Sequence, residues 1–193
     1  MIRDLTTLDA LKRYLGREDG ESQPGETSDE LLKELITAAS GVITRFARRE
    51  FAGSEEEEER VFAHEGGRFL DLDPFDLREV SRVTLVRGAA FDELLDSGSY
   101  SLRPLPSPDG VHQWMNLAGE PGECEVKIAG LWGFDEVPAD VASWTQLTVA
   151  EWLRGGVYAY TPEIEAAALY SSRSLPRLVE TGLEDIYRRP VIA

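Results

Sequence analysis

The stretch Glu123-Cys124-Glu125-Val126-Lys127-Ile128-Ala129-Gly130-Leu131-Trp132-Gly133-Phe134-Asp135-Glu136-Val137-Pro138-Ala139-Asp140-Val141 decides how this chain is built. In its first half Cys124, Val126 and Ile128 alternate with Glu125, Lys127 and Ala129, the period of two that sends one set of side chains inward and the other to water. Beyond Trp132-Gly133-Phe134 the period changes. Pro138 suits the first turn of a helix, and Val141, Trp144, Leu147, Thr148 and Leu153 recur at helical spacing until Gly155 and Gly156 stop it. A strand therefore hands over to a helix here, and the rest of the chain is read outward from that junction.

Upstream, β-type segments continue back to Arg60. Short apolar runs at Val61 to Ala63, Phe69 to Leu72, Val80 to Val86 and Tyr100 to Leu102 are separated by Gly, Asp, Pro and Ser clusters. Pro104, Pro106 and Pro108, with Ser107, Asp109 and Gly110, cannot sit inside a sheet and predict an exposed loop between strands. Before Arg60, Glu55 to Glu59 is an unbroken acidic run. Like charges at that density repel and stay solvated, which predicts a mobile loop, and five consecutive glutamates supply no organised metal geometry.

The N-terminal part is helical. Thr6 or Thr7 can cap a short helix carrying Leu8, Leu11, Tyr14 and Leu15, with Gly16 at its left-handed end. A polar loop from Arg17 to Glu26 follows. Thr27 and Glu30 have capping-box spacing and open a long helix from about Ser28 to Glu50. Leu32, Leu35, Ile36, Ala39, Ile43 and Phe46 form its core stripe; Lys33, Glu34, Thr37, Ser40 and Thr44 fall on a face expected to be free. Arg45, Arg48 and Arg49 gather in its last turns. They complement the helix dipole, and the competing reading is a dedicated partner site.

Downstream, Thr161-Pro162 opens a segment through about Tyr170, Ser171 to Ser174 break it, and Pro176 starts a last short helix. Leu178, Val179, Leu183 and Tyr187 stripe that helix, and Arg188 and Arg189 follow before Pro190. With few apolar residues to hold it down, this tail is expected to order on a partner. The predicted architecture is α+β: one domain with a helical scaffold over 1–54 and 138–170, an antiparallel β-rich insert over 60–134 and a tail over 171–193.

The 193 residues carry 20 Lys and Arg against 36 Asp and Glu, a formal charge of −16, which disfavours nucleic-acid affinity because only clustered cations displace phosphate counterions. The single Cys124 cannot make an intrachain disulfide and is expected as a small core residue, consistent with a reducing compartment. No run of Met1 to Leu15 reads as a signal peptide, and no stretch is long and apolar enough to span a bilayer.

Nucleophile-elbow, phosphate-loop, zinc-protease and dinucleotide fingerprints are all missing, and His64 and His112 lack motif context, so ordinary surface or rim histidines are expected. Trp132, Trp144 and Trp152 lack interleaved Lys and Arg, so packing is their expected role rather than base stacking. No catalytic residue, cofactor or metal is expected.

Several local sequences together carry a resemblance. Leu5-Thr6-Thr7-Leu8-Asp9-Ala10-Leu11-Lys12, the segment Asp29 to Phe51 ending in Arg48-Arg49-Glu50-Phe51, and Phe69-Leu70-Asp71-Leu72 followed by Val80 and Val83 are three of them. With Val126-x-Ile128-x-Gly130-Leu131-Trp132-Gly133-Phe134 running into Val137-Pro138-Ala139-Asp140-Val141, and the ending Leu175-Pro176-Arg177 through Tyr187-Arg188-Arg189-Pro190, they resemble the head-tail connector (head-completion adaptor) family of tailed phages. The acidic run at Glu55 to Glu59 and the insert from Ser97 to Gly110 depart from that pattern.

The resemblance implies a non-enzymatic virion protein at the head-tail interface, assembled in the host cytoplasm. It would be a ring subunit, commonly one of twelve, that docks on the portal protein after packaging and meets a tail-proximal connector or stopper protein, while DNA passes through the lumen unbound. It places the portal contact on Leu175, Pro176, Leu178, Leu183, Tyr187, Arg188 and Arg189, and leaves Arg45, Arg48 and Arg49 for the ring contact. Two other classes compete with it: an acidic mimic of DNA charge, motivated by the −16, and an enzyme with a carboxylate site in the β region, supported only by the abundance of Asp and Glu.

Overall fold

The computed structural model describes residues 3–16, 28–88, 91–105, 107, 109–154 and 175–187. Among these the fold is α+β, with helices α1 (Leu8–Tyr14), α2 (Asp29–Ala47), α3 (Ala139–Arg154) and α4 (Arg177–Ile186). The strands are β1 (Glu58–His64), β2 (Phe69–Asp71), β3 (Leu77–Arg87), β4 (Phe91–Leu94), β5 (Tyr100–Arg103), β6 (Trp114–Leu117) and β7 (Cys124–Trp132). Two compact units result, a helical one (Met1–Arg48 with Val137–Ala193) and a β one (Arg49–Glu136). The sequence-predicted segment at 161–170 lies outside the described residues.

In the helical unit, Thr7 caps α1 by accepting from the Ala10 N–H at 3.2 Å, and Gly16 adopts φ +70° just beyond its end. The cap of α2 is Ser28, which accepts from the Leu31 N–H; Thr27 lies outside the described residues. The face of α2 expected to be free is covered over its middle. Ala38, Ser40, Gly41 and Val42 are buried along with Leu32, Leu35, Ile36 and Ile43, and the Ser40 hydroxyl is satisfied by the Leu5 N–H at 2.9 Å. Small side chains at Ala38, Ser40 and Gly41 let neighbours approach on that side. α2 packs on α1, α3 and α4.

On α3 the buried residues are Val141, Thr145, Thr148, Val149, Ala150 and Trp152, a stripe rotated from the expected one, with Trp144 and Leu147 only half-buried. Thr145 and Thr148 can sit inside because each hydroxyl donates to the carbonyl four residues back, Val141 O and Trp144 O, both at 2.8 Å.

The β unit is two antiparallel sheets facing one another, ordered β1-β7-β3-β4 and β2-β6-β5. Their inner faces meet in one core, with Phe62, Val83, Leu85, Val126, Ile128 and Trp132 from the larger sheet and Leu70, Met115 and Leu117 from the smaller. β7 is an inner strand of its sheet; Cys124, Val126 and Ile128 are buried as the alternation requires, but Ala129, expected to face water, is buried too, together with Gly130 and Trp132. β4 and β6 were not read from the sequence. The acidic run is divided: Glu55, Glu56 and Glu57 are exposed, but Glu58 and Glu59 open β1 and pair with Arg60 (2.9 Å) and Arg82 (3.0 Å). A mobile loop across all five is therefore corrected.

The glycines of the opening motif act by close approach. A Cβ on Gly130 would stand 2.1 Å from Glu79 O, where β3 slips register against β7. A Cβ on Gly133, at φ +75°, would stand 2.5 Å from Ala52 O. These gaps let residues 52–54 run along the end of β7, where Ser54 N–H donates to Trp132 O at 2.7 Å and Trp132 N–H donates to Ser54 Oγ at 2.8 Å. The first and last segments of the β unit are thereby stitched together.

Candidate functional site

The side chains expected to carry function fall into three places. The first is the run of arginines after α2. Arg45 is exposed with its Nε donating to Gly41 O, and Arg48 is half-buried in a left-handed cap conformation at φ 54°. Arg49 is different, being 2% exposed. Its Nε donates to Asp76 Oδ1 at 3.1 Å, Nη1 donates to Asp109 Oδ2 at 3.1 Å, and the guanidinium lies 5.0 Å from the Phe134 ring centroid. Asp76, itself fully buried, also accepts the Glu50 N–H at 3.0 Å. A surface contact for Arg49 is thus corrected: the buried Asp76 and the partly exposed Asp109 hold it, because an unpaired charge there would be costly.

A second cation, the half-buried Arg60, stacks between rings. Its guanidinium lies 4.1 Å from Phe75 and 4.6 Å from Trp132, while its nitrogens reach Glu50 and Glu58. Trp132 in turn donates its indole N–H to Glu58 O at 2.9 Å. These groups saturate one another, which makes them structural ties rather than free chemistry.

The second place is α4. The expectation of a tail without a seat of its own is corrected, because Leu175, Val179 and Leu183 are buried. Gly182 lies against Trp144, where a Cβ would come within 2.4 Å of Cζ2. Tyr187 stands edge-on to Trp144 with centroids 6.2 Å apart and donates its hydroxyl to Asp140 Oδ1 at 3.1 Å. Leu183 and Leu175 are spent on this seat. Pro176 is half-buried, Leu178 is 69% exposed and Ile186 is 59% exposed. Arg188 and Arg189 lie outside the described residues.

The third place is the solvent side of β2-β6-β5, which sequence reasoning missed. Across these strands Phe69, Asn116 and Ser101 stand in one row, and Asp71, Trp114 and Arg103 in the next. Met115, Leu117 and Leu70 turn inward. The Phe69 and Trp114 rings are 6.3 Å apart. The signal was present in the alternation Trp114-Met115-Asn116-Leu117, which four residues made too short to weigh.

Both histidines are engaged. His64 is buried rather than at a rim, with Nε2 3.2 Å from Gly67 O, and His112 has Nδ1 3.2 Å from Pro104 O. Burial pulls the His112 imidazole below its ordinary pKa, opposed by that backbone hydrogen bond. Cys124 is buried, and burial pushes its thiol up, offset in part by Arg87. Among the described residues no three His, Cys, Asp or Glu side chains gather as metal ligands, and no helix is long and apolar enough to cross a membrane.

No family model matches the chain, and no curated protein does. Among solved structures the chain is similar to one in the neck of an empty GTA particle computed with C6 symmetry. The TM-score is 0.53 at 17% identity, covering 80% of this chain and 84% of that one. At that identity the likeness establishes a shared fold, spanning the greater part of both chains.

Proposed function

We propose that this protein is a structural, non-enzymatic subunit of the neck of a tailed-phage-like particle, a head-tail connector that assembles as a ring. The observation that carries this reading is the fold shared over 80% of the chain with a component of a particle neck. That neck was computed with C6 symmetry, and a ring of twelve, as two copies per repeat, is compatible with it. The ion pairs that hold Arg49 and Arg60 to carboxylates of their own unit agree with a scaffold role.

The charge distribution adds support. The β unit holds 20 Asp and Glu against 8 Lys and Arg, a net of −12, while the helical unit holds 16 against 12, a net of −4. A neck must let DNA pass, and carboxylates repel phosphate within roughly a Debye length of about 10 Å. On this reading the β unit carries the DNA-repelling surface. The outer side of α4, with Leu178, Ile186 and the following Arg188 and Arg189, meets the portal, while Arg45 and Arg48 remain for neighbouring subunits. A tail-proximal connector or stopper completes the neck.

The test is the mass of the full chain, alone and mixed with the portal protein of the same particle, by native mass spectrometry and negative-stain imaging. A ring in either sample is expected. A chain that stays monomeric in both overturns the reading.

A further inference from the structure

We propose that the solvent face of the β2-β6-β5 sheet is a contact surface for a second copy of this chain, and that the neighbour fills it with its exposed acidic run Glu55-Glu56-Glu57. The inference rests on the ring reading above and gives that ring one of its interfaces.

The first observation is an uncommitted cation. Of the eight Lys and Arg of the β unit, Arg49, Arg60, Arg68, Arg78, Arg82, Arg87 and Lys127 each pair with a carboxylate of the same unit. Arg103 alone makes no ion pair or side-chain hydrogen bond among the described residues. In a unit with 20 carboxylates, a half-buried guanidinium left without one is held ready for a partner.

The second observation is its setting. Arg103 is directly opposite Trp114, whose ring neighbours Phe69. The indole N–H of Trp114 and the side chains of Asn116 and Ser101 also find no hydrogen-bond partner among the described residues. A shallow hollow lined by Arg68, Tyr100, Ser101 and Asn116 adjoins them. Trp and Arg are the residue types that dominate protein-protein binding energy, through ring burial and fixed guanidinium geometry. Polar groups left unspent around them supply the directional contacts.

The third observation concerns what can approach. Two copies at −16 each repel, so a stable contact between them must bring a free cation against free carboxylates. Glu55, Glu56 and Glu57 are exposed and, unlike Glu58 and Glu59, make no ion pair among the described residues. They lead into β1 of the larger sheet, whereas Arg103 and Trp114 are on the smaller one. The contact therefore joins two different surfaces head to tail, which is the kind of interface that closes a ring.

The experiment is a charge swap in the full-length chain, read in whichever assembly, alone or portal-bound, gives the wild-type ring. Arg103→Glu, and separately Glu55→Lys with Glu56→Lys and Glu57→Lys, should each weaken ring association by about tenfold or more, and the combined variant should recover to within about threefold. Trp114→Ala should weaken the ring, while Leu94→Ala, on the solvent face of the other sheet, should not. Arg103→Gln, which removes the charge without reversing it, covers the case in which the reversal disturbs folding; its expected loss is smaller and of the same sign. A ring unchanged by Arg103→Glu and Arg103→Gln overturns the inference and leaves the ring reading standing. A loss that the combined variant does not restore also overturns it, pointing to an acidic segment of another protein. Absence of any wild-type ring sinks both.

Discussion

Replacing Asp76 by Ala isolates the cost of the buried Arg49 cluster. Asp76 accepts two hydrogen bonds, from Arg49 Nε at 3.1 Å and the Glu50 N–H at 3.0 Å, and forms an ion pair with Arg49 Nη2 at 3.0 Å, all at a fully buried position. Its removal leaves Arg49 with Asp109, which is partly exposed and reaches only Nη1. Breaking a buried ion pair from one side costs about 3 to 5 kcal/mol, because the remaining charge keeps its desolvation penalty and loses its attraction. Against a total stability of about 5 to 15 kcal/mol, this takes the protein close to its threshold. Converting both partners, Arg49→Met with Asp76→Leu, should cost far less than Asp76→Ala, because no orphaned charge remains. The assay is urea unfolding followed by tryptophan emission, with Trp132 in the core as one reporter. An Asp76→Ala loss under about 1 kcal/mol, or a double variant whose loss equals the sum of the two single ones, would refute the reasoning.

Three further outcomes are expected. Gly133→Ala should destabilise the β unit by roughly 2 kcal/mol or more, since it combines a left-handed backbone with a Cβ 2.5 Å from Ala52 O; an unfolding midpoint equal to wild type would contradict this. Gly182→Ala should loosen α4 by forcing Trp144 aside, read as several-fold faster tryptic cleavage after Arg177, and an unchanged cleavage rate would show that Trp144 yields freely. His112 makes stability fall with acid: its folded pKa is below the ordinary 6.5, so as pH drops through that range the unfolded chain takes up the proton first, and the loss stops growing once the folded imidazole is also charged. His112→Gln should flatten that part of the profile relative to wild type, and parallel profiles would remove His112 as the cause.

What was legible in the sequence was whatever is repeated locally. The alternation of β7 and the spacing in α2 each involve several residues within one element, so their periods stand out without knowledge of any partner. The strand-to-helix junction at Gly133 to Pro138 was likewise visible, although the glycines carried a meaning that local reading misses. Gly130 and Gly133 are there because backbone from Glu79 and Ala52 passes where a Cβ would be, and those neighbours are 51 and 81 positions away along the chain. The sheet order, with β7 between β1 and β3, is non-local for the same reason.

The errors share a cause. Arg49 and Arg48 look identical at the end of an amphipathic helix, and only the placement of Asp76 and Asp109 separates the buried residue from its half-buried neighbour. The tail looked underfurnished with apolar residues because its seat was supplied by other helices: α2 packs against it, and on α3 Trp144 offers a flat surface to Gly182 and Asp140 an acceptor to Tyr187. A stripe of Val179 and Leu183 is enough when the opposing surface is already built. The same logic applies to the face around Arg103: a single arginine in a four-residue strand carries no signal alone. It becomes informative only when every other cation of an acidic unit has been matched to its carboxylate and this one has not. Where acid is in excess, intramolecular pairing is the default for a cation, so the exception is the observation on which the proposed contact between copies rests.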